Sequence, residues 1–318
     1  MNRKSNSVSD VLFSGATGSF ALVLVLLVAG IGVILCYQSL PTIREFGLNF
    51  WRTQMWDPVL GEFGALPFIW GTLYSSILAL LIATPISIGV AIFISELCPR
   101  SLKHPLVFLT ELLAAIPSIV YGLWGIFVLI PAVRMLEGWF PEWLRAFPLF
   151  TGPRVGVGML SAVLVLAVMV IPFTSSVARE VLKAVPMAQR ETAYALGATR
   201  WEVTKAVLHY ARVGIVGAVM LGLGRAFGET MAVTMVIGSN PKMSWSLFES
   251  QHTMAAVIAN EFTEAANDLH ISALVEIGLV LFILTFIINA ASRLLIWGMT
   301  YQRKQTVPVA VKSVGATS

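Results

Sequence analysis

Charged residues are scarce in this chain of 318 residues, and cysteines are scarcer still. Asp, Glu, Lys and Arg make up 12% of the sequence, about half of the roughly 25% that is typical of a soluble domain. The two cysteines, Cys36 and Cys98, are too few for a disulfide framework. With 57% hydrophobic residues and a mean hydropathy of +0.82, the composition excludes an ordinary soluble domain and indicates an integral membrane protein.

Sequence patterns typical of enzymes and of ligand-binding proteins are also missing. No lysine follows a glycine, so the chain lacks the Gly-x4-Gly-Lys phosphate loop of an ATPase. It has no His-Glu-x2-His or Cys-x2-Cys metal pattern and no evident nucleophile–base set. No basic run with interleaved aromatic residues occurs, so nucleic-acid binding is not expected. The chain is therefore predicted to be no enzyme and to carry no cofactor of its own.

Long apolar segments are what the sequence has in abundance. A helix that spans a membrane needs about 20 predominantly apolar residues, and six segments meet this requirement: 18–40, 68–95, 106–133, 155–178, 209–238 and 271–296. This predicts an all-α, polytopic membrane protein with six transmembrane helices within 18–300. A short N-terminal segment (1–17) and a disordered tail (301–318) are expected to flank it. Pro117 lies inside the third segment and is expected to kink it.

The distribution of lysine and arginine predicts the orientation. With a cytoplasmic N-terminus, 14 of these residues lie inside and 6 outside, and Arg225 lies within the membrane. Both termini are therefore predicted to be cytoplasmic. No charge occurs between Asp10 and Arg44. This gap is too long for a typical signal peptide, so the first helix is expected to be retained.

Two charges interrupt the fifth apolar segment. Between Arg212 and Lys242 only Arg225 and Glu229 are charged, and each costs roughly 2.5–3.5 kcal/mol at the centre of a membrane. Their spacing of four residues predicts that they share a helical face and can pair. A buried arginine suggests an anion, because guanidinium matches phosphate oxygens bidentately. The pair is thus interpreted either as part of a substrate pathway or as a structural ion pair that locks two helices.

Several glycines occupy the same segment, among them Gly222, Gly224 and Gly228. The Gly224-x3-Gly228 spacing permits close approach of a neighbouring helix, which makes packing the first interpretation. A hinge or a locally unwound turn is the alternative.

The longest internal loop, about residues 179–208, has features of a docking element. Glu191 to Leu196 can form a short helix that Gly197 ends, since glycine is favoured just past a helix C-terminus. A second helical stretch then carries an exposed Trp201 into the fifth span. Such a short helix suits a groove on a partner protein, although an amphipathic linker on the membrane would show the same pattern.

The residues Glu191, Ala193 and Gly197, followed by Val207, resemble the EAA loop of ABC-importer permeases, Glu-Ala-Ala-x3-Gly-x9-Ile-x-Leu-Pro. Thr192 replaces the first alanine, and His209-Tyr210 replaces Leu-Pro. The resemblance implies that this loop, with Trp201, couples the chain to a separate ATPase, which would bind ATP and Mg²⁺.

Four further strings resemble the PstC-type permeases of bacterial phosphate importers: residues 63–72, 111–127, 222–233 and 276–282. The resemblance implies a type I ABC-importer permease in the bacterial inner membrane that forms half of a phosphate path past Arg225 and Glu229. The implied partners are a PstA-type second permease, a PstB-type ATPase dimer and a PstS-type extracytoplasmic phosphate-binding protein. A permease for sulfate or molybdate remains an alternative, as does an ion-coupled secondary phosphate carrier.

Overall fold

The structure is a computed structural model that describes residues 8–145 and 147–305. Thirteen α-helices account for nearly all of its regular structure, and among the described residues the only β-pairing is two isolated bridges. In chain order the helices are α1 (Val8–Gln38), α2 (Leu40–Phe46), α3 (Leu66–Ile92), α4 (Arg100–Ala115), α5 (Ser118–Trp124), α6 (Ile130–Trp139), α7 (Glu142–Arg145), α8 (Met159–Lys183), α9 (Met187–Ala195), α10 (Arg200–Phe227), α11 (Met231–Ile237), α12 (Met254–Glu261) and α13 (Asp268–Gln305).

Six helical segments of the described chain are long and apolar enough to cross a membrane, which confirms the predicted number of spans. They are Leu12–Gln38, Leu66–Leu97, Ser118–Trp139, Met159–Lys183, Arg200–Phe227 and Asp268–Met299. α13 continues to Gln305, so the helix extends beyond the boundary expected at residue 300. The rest of the predicted disordered tail, 306–318, lies outside the described residues.

The third span differs from the prediction. Instead of a kinked helix over 106–133, the chain forms α4, breaks at Ile116 and Pro117, and starts a new helix at Ser118. Ile116 has extended backbone angles (φ −62°, ψ 130°), as expected for a residue before proline, because the proline ring disfavours the helical region there. The membrane span is Ser118–Trp139, and α4 precedes it as a separate helix packed against α8.

α8 is the most deeply buried of the six spans and forms the centre of the bundle. Its small and apolar side chains, such as Ala162, Leu166 and Val170, pack against α3, α10 and α11. Small residues at such contacts allow helices to approach closely in a membrane, where packing rather than water exclusion drives association. α8 therefore positions the helices that carry the charged residues of the fifth span.

Between α11 and α12 the chain folds back over the N-terminal part of α3, where Trp70 donates to the Ser244 carbonyl and Tyr74 to the Trp245 carbonyl. Gly238 and Ser239 turn it with positive φ angles of 93° and 54°.

His252 is buried in this segment, and burial lowers its pKa to about 4. The imidazole is therefore neutral at pH 7, which suits an apolar surrounding. The backbone carbonyl of His252 lies directly against Gly71, leaving no room for a side chain there.

A methyl group at Gly71 is expected to destabilise the fold. An ideal Cβ at this position would lie 2.0 Å from the His252 carbonyl oxygen, and overpacking of this kind costs about 1–3 kcal/mol or more. Gly89→Ala on the same helix is the matched control, since no atom lies within 4 Å of its Cβ position. Thermal unfolding of the purified protein should show a lower midpoint for Gly71→Ala only. Equal midpoints for the two variants would contradict the close contact.

Candidate functional site

The helix of the fifth span ends between its two charged residues, Arg225 and Glu229. α10 runs from Arg200 to Phe227, and Gly228 ends it by donating to the carbonyl of Gly224 at 3.3 Å. A new helix, α11, begins at Met231. Arg225 is about 20 Å along the helix from Arg212 at 1.5 Å per residue, which is about two thirds of the roughly 30 Å thickness of a hydrocarbon core. The two charged residues therefore stand on opposite sides of a helix break.

Arg225 and Glu229 form no ion pair in the described part of the chain. The expectation that they are close enough to pair is wrong here. It assumed one continuous helix, in which residues four apart face the same way, whereas the helix stops at Phe227. Glu229 instead accepts a hydrogen bond from the backbone N–H of Ala232 at 3.1 Å. It thereby caps the first turn of α11, where a negative charge is favourable.

The guanidinium of Arg225 is half-buried and lacks a counter-charge from the described residues. Its Cζ lies 5.3 Å from the centre of the Phe173 ring on α8, in the range of a cation–π contact. Its Nε is buried and has no hydrogen-bond partner among the described residues. An arginine on an apolar span with an unpartnered donor of this kind is suited to bind an anion.

The glycines of α10 divide between two faces. Gly222 packs tightly on α8, since a Cβ there would lie 2.3 Å from the Thr174 hydroxyl. Gly224 has no neighbour within 4 Å of its Cβ position, and Gly228 has only the carbonyl of Gly224. The expected packing is thus present at Gly222 and, within the described chain, absent at Gly224 and Gly228. With Leu221, which is 56% exposed, these two glycines leave one face of α10 uncovered on either side of Arg225.

A further arginine, Arg179, is buried towards the C-terminal end of α8. The Nη2 of Arg179 is 2.8 Å from a carboxylate oxygen of Glu111 on α4 and 2.9 Å from Glu180, and its side chain is only 4% exposed. The ion pair holds α4 on α8. The sequence does not single out Arg179, because an arginine near the inner end of an apolar span is what the positive-inside rule already expects.

The internal loop folds into a short helix and a tight turn. α9 (Met187–Ala195), hereafter the docking helix, ends before Gly197, which has a φ of +81° and donates to the carbonyl of Tyr194 at 2.9 Å. Glycine is favoured there because a Cβ strains this conformation. Thr199 then caps α10 in a reciprocal capping box with Glu202. The short helix and the stop at Gly197 agree with the sequence prediction.

The surface around the docking helix is exposed and partly apolar. The docking helix has no buried residue. Glu191 is exposed and makes no ion pair with another described residue, while Ala193 packs towards the helical core. Trp201 is 57% exposed, and Leu196, which the sequence analysis did not select, is 84% exposed. Apolar side chains held out on a rigid turn are typical of a protein-binding surface.

The chain is similar to known membrane transport proteins. A family model described as "Binding-protein-dependent transport system inner membrane component" matches residues 87–300. The phosphate transport system permease protein PstC of Mesorhizobium japonicum is 45% identical over 293 residues, which cover 90% of each chain. The proteins of that name from Pasteurella multocida (45% over 310 residues, 96% of each chain) and Haemophilus influenzae (46% over 296 residues, 91% of this chain and 94% of the other) are similarly close.

A solved structure shares the fold. The MetNI methionine ABC transporter in an inward-facing conformation superimposes with a TM-score of 0.58, covering 77% of this chain and 99% of that one, at 18% identity. A likeness at this identity concerns the arrangement of the helices alone.

Proposed function

Since this chain belongs to the family of binding-protein-dependent transport system inner membrane components, and within it to the PstC-type permeases, we propose that it is the transmembrane permease subunit of an ATP-driven importer of inorganic phosphate. The relatives named above are phosphate transport permeases, and their similarity to this chain extends over nearly their whole length. The observation that carries the proposal is the guanidinium of Arg225, which has an unpartnered donor, a helix break beside it and no carboxylate partner among the described residues.

In this function Arg225 forms a transient binding site for phosphate within the membrane. A guanidinium donates parallel hydrogen bonds to two phosphate oxygens. An importer must also release its substrate, so the site at Arg225 has to bind phosphate weakly enough for the anion to leave. The cation–π contact with the Phe173 ring offsets part of the positive field that phosphate meets. Glu229, which precedes α11 and accepts from its Ala232 N–H, is assigned to the same path.

The uncovered face of α10 predicts where the path runs. Leu221 beside Arg225 is 56% exposed, and apart from the Gly224 carbonyl no atom of the described chain lies within 4 Å of the Cβ positions of Gly224 and Gly228. We assign this face to the contact with a homologous second permease of the PstA type, so that each subunit forms half of the path. A phosphate-binding protein of the PstS type would deliver the anion from the outer side.

The docking helix is assigned to an ATPase of the PstB type, present in two copies. Glu191, Ala193, Gly197 and Trp201 form the contact, to which the structure adds the exposed Leu196. ATP and Mg²⁺ bind to the partner ATPase. Closure of the two ATPases on ATP would move the docking helix and thereby open the path at Arg225.

Uptake by the purified complex tests this function. The permease would be copurified with its partner subunits, reconstituted in liposomes with ATP and the binding protein, and supplied with radiolabelled phosphate. Uptake that requires ATP and is not reduced by excess sulfate or molybdate is expected. Uptake driven by an ion gradient without ATP would establish a secondary carrier instead, and competition by another oxyanion would change the substrate.

The cytoplasmic location of both termini is a further part of the proposal, and it predicts the sides of two exposed loops. Val59, at the tip of the turn between α2 and α3, is 93% exposed and should be external, whereas the exposed Ser101 at the start of α4 should be internal. In a background without Cys36 and Cys98, an impermeant thiol reagent should label Val59→Cys in intact spheroplasts. Ser101→Cys should react only after permeabilisation. The reverse pattern would overturn the orientation.

A further inference from the structure

One side chain of the docking helix reaches into the transmembrane bundle. The guanidinium of Arg190 donates to both carboxylate oxygens of Glu96, from Nη2 at 2.9 Å and from Nε at 3.3 Å. It also donates to the carbonyl oxygens of Val185, at 2.7 Å, and Leu182, at 2.9 Å. Arg190 thus joins the docking helix simultaneously to the inner end of α3, which carries Glu96, and to the inner end of α8.

Glu96 is held in place by the local structure. It lies in a π-helical turn, Phe93–Leu97, that continues α3, and such turns occur frequently at functional sites. Ser95 donates its hydroxyl to the Glu96 carboxylate at 2.8 Å, and Lys103 donates to the Ser95 carbonyl at 3.4 Å. The carboxylate therefore has a defined position from which it can receive the guanidinium in a two-point contact.

The remaining contacts of Arg190 are to the Leu182 carbonyl in the last turn of α8 and to the Val185 carbonyl just past the helix. Carbonyl groups at the C-terminal end of a helix carry partial negative charge, so a cation bound there is stabilised. The side chains of Arg190 and Glu96 are only 13% and 11% exposed. Shielding from water strengthens this ion pair relative to one on the surface, and it leaves either group poorly satisfied if the other is removed.

The helices that Arg190 contacts, α3 with its π-helical continuation and α8, pack against each other, and α8 extends to the site around Arg225. α3 and α8 share a hydrophobic cluster that includes Ala91 and Ala178, and the Ser87 hydroxyl donates a hydrogen bond to the Ile171 carbonyl. α8 also carries Phe173, the ring beneath Arg225. The chain itself joins the docking helix to α8 through residues 184–186 and to α10 through Gly197, but it provides no direct connection to α3. Arg190 is the polar contact that adds α3 to the elements attached to the docking helix.

We propose that the Arg190–Glu96 ion pair transmits movement of the docking helix to α3, so that it couples ATP hydrolysis to the opening of the path. This rests on the proposed function and deepens it, because it names residues that act between the ATPase contact and the anion site. Both are positioning residues, since neither touches the transported anion. Breaking the ion pair leaves the docking surface intact but allows the docking helix to move without α3.

The test measures phosphate imported per ATP hydrolysed by the reconstituted complex with its binding protein. Arg190→Gln is expected to assemble and hydrolyse ATP, while this ratio falls by at least about fivefold, the lower end of typical couplings between two sites. Glu96→Gln should behave alike. Arg100→Gln is the control, because it removes an exposed cytoplasmic cation that makes no ion pair with the described residues, and its ratio should be unchanged.

An assembled Arg190→Gln complex with the wild-type ratio would overturn the proposal. If that variant does not assemble, Arg190→Lys decides, since lysine keeps the charge but loses the two-point contact. A reduced ratio in the assembled lysine variant supports transmission, whereas a normal ratio, or failure of this variant to assemble, shows a role in folding only. The wild-type complex reports separately on the proposed function: if it imports no phosphate, that function fails, whatever the variants do.

Discussion

Arg225→Gln is expected to abolish most phosphate uptake while the complex still assembles. The guanidinium has no carboxylate partner among the described residues, so its removal strands no buried counter-charge. A hydrogen bond to a charged group contributes about 1.5–3 kcal/mol, which corresponds to a roughly 10- to 150-fold loss of transport for each such bond to phosphate. Arg225→Lys should retain part of the activity, because the charge survives while the planar fork is lost.

The measurement that separates a pathway role from a structural one is uptake together with the amount of assembled complex. Arg293→Gln, an exposed cation of α13, controls for loss of a positive charge in the same bundle. A structural ion pair would instead require that Arg225→Gln disrupts assembly and that the double change Arg225→Gln with Glu229→Gln restores both assembly and uptake. Full uptake in that double variant would refute the pathway role. Glu229→Gln alone keeps an acceptor for the Ala232 N–H but removes the negative charge at the start of α11, which should cost about 0.3–1 kcal/mol.

Gly197→Trp is expected to abolish uptake although the permease still reaches the membrane. Two effects combine: a side chain at a φ of +81° strains the turn by about 1–2 kcal/mol, and the large ring projects from the surface assigned to the ATPase. No atom of the described chain lies within 4 Å of the Cβ position, so the ring itself meets no obstacle within the permease.

Two further variants separate strain from docking. Gly197→Asn should be tolerated, because asparagine adopts positive φ at little cost. Leu196→Asp leaves the turn relaxed, since its side chain is 84% exposed, yet it places a charge at the centre of the apolar docking surface. Copurification of the ATPase should therefore be lost in Leu196→Asp and retained in Gly197→Asn. Normal uptake in both Gly197→Trp and Leu196→Asp would remove the docking role and leave the loop as an amphipathic linker.

The number of spans and the docking turn could be predicted because the signals are local. A run of about 20 apolar residues has few stable arrangements other than a spanning helix, since backbone polar groups must be satisfied within the membrane. A glycine after a short helical stretch similarly predicts its end through the conformation of one residue. The resemblance of Glu191, Ala193 and Gly197 to the EAA loop further implied that an ATPase binds there. In the structure the helix that carries Glu191 and Ala193 has no buried residue.

The interruptions of the apolar segments were harder to place. Pro117 was expected to kink a span, but it separates α4 from the span that begins at Ser118. The pairing of Arg225 with Glu229 was inferred from a continuous helix, which in fact ends at Phe227. In both cases the break depends on whether neighbouring helices satisfy the freed backbone groups, and spacing along the chain carries no information about those neighbours.

The sequence by itself determined that this is a helical membrane protein with six spans, two charges in the fifth apolar segment and a short helix that ends before Gly197, because each of these follows from composition or from residues close along the chain. Only the tertiary structure decided that Arg225 stands without Glu229, that Arg179 meets Glu111, and that Arg190 reaches Glu96. These partners lie 68 and 94 residues apart along the chain in the last two cases, so their contact exists only once α3, α4, α8 and the docking helix have packed together.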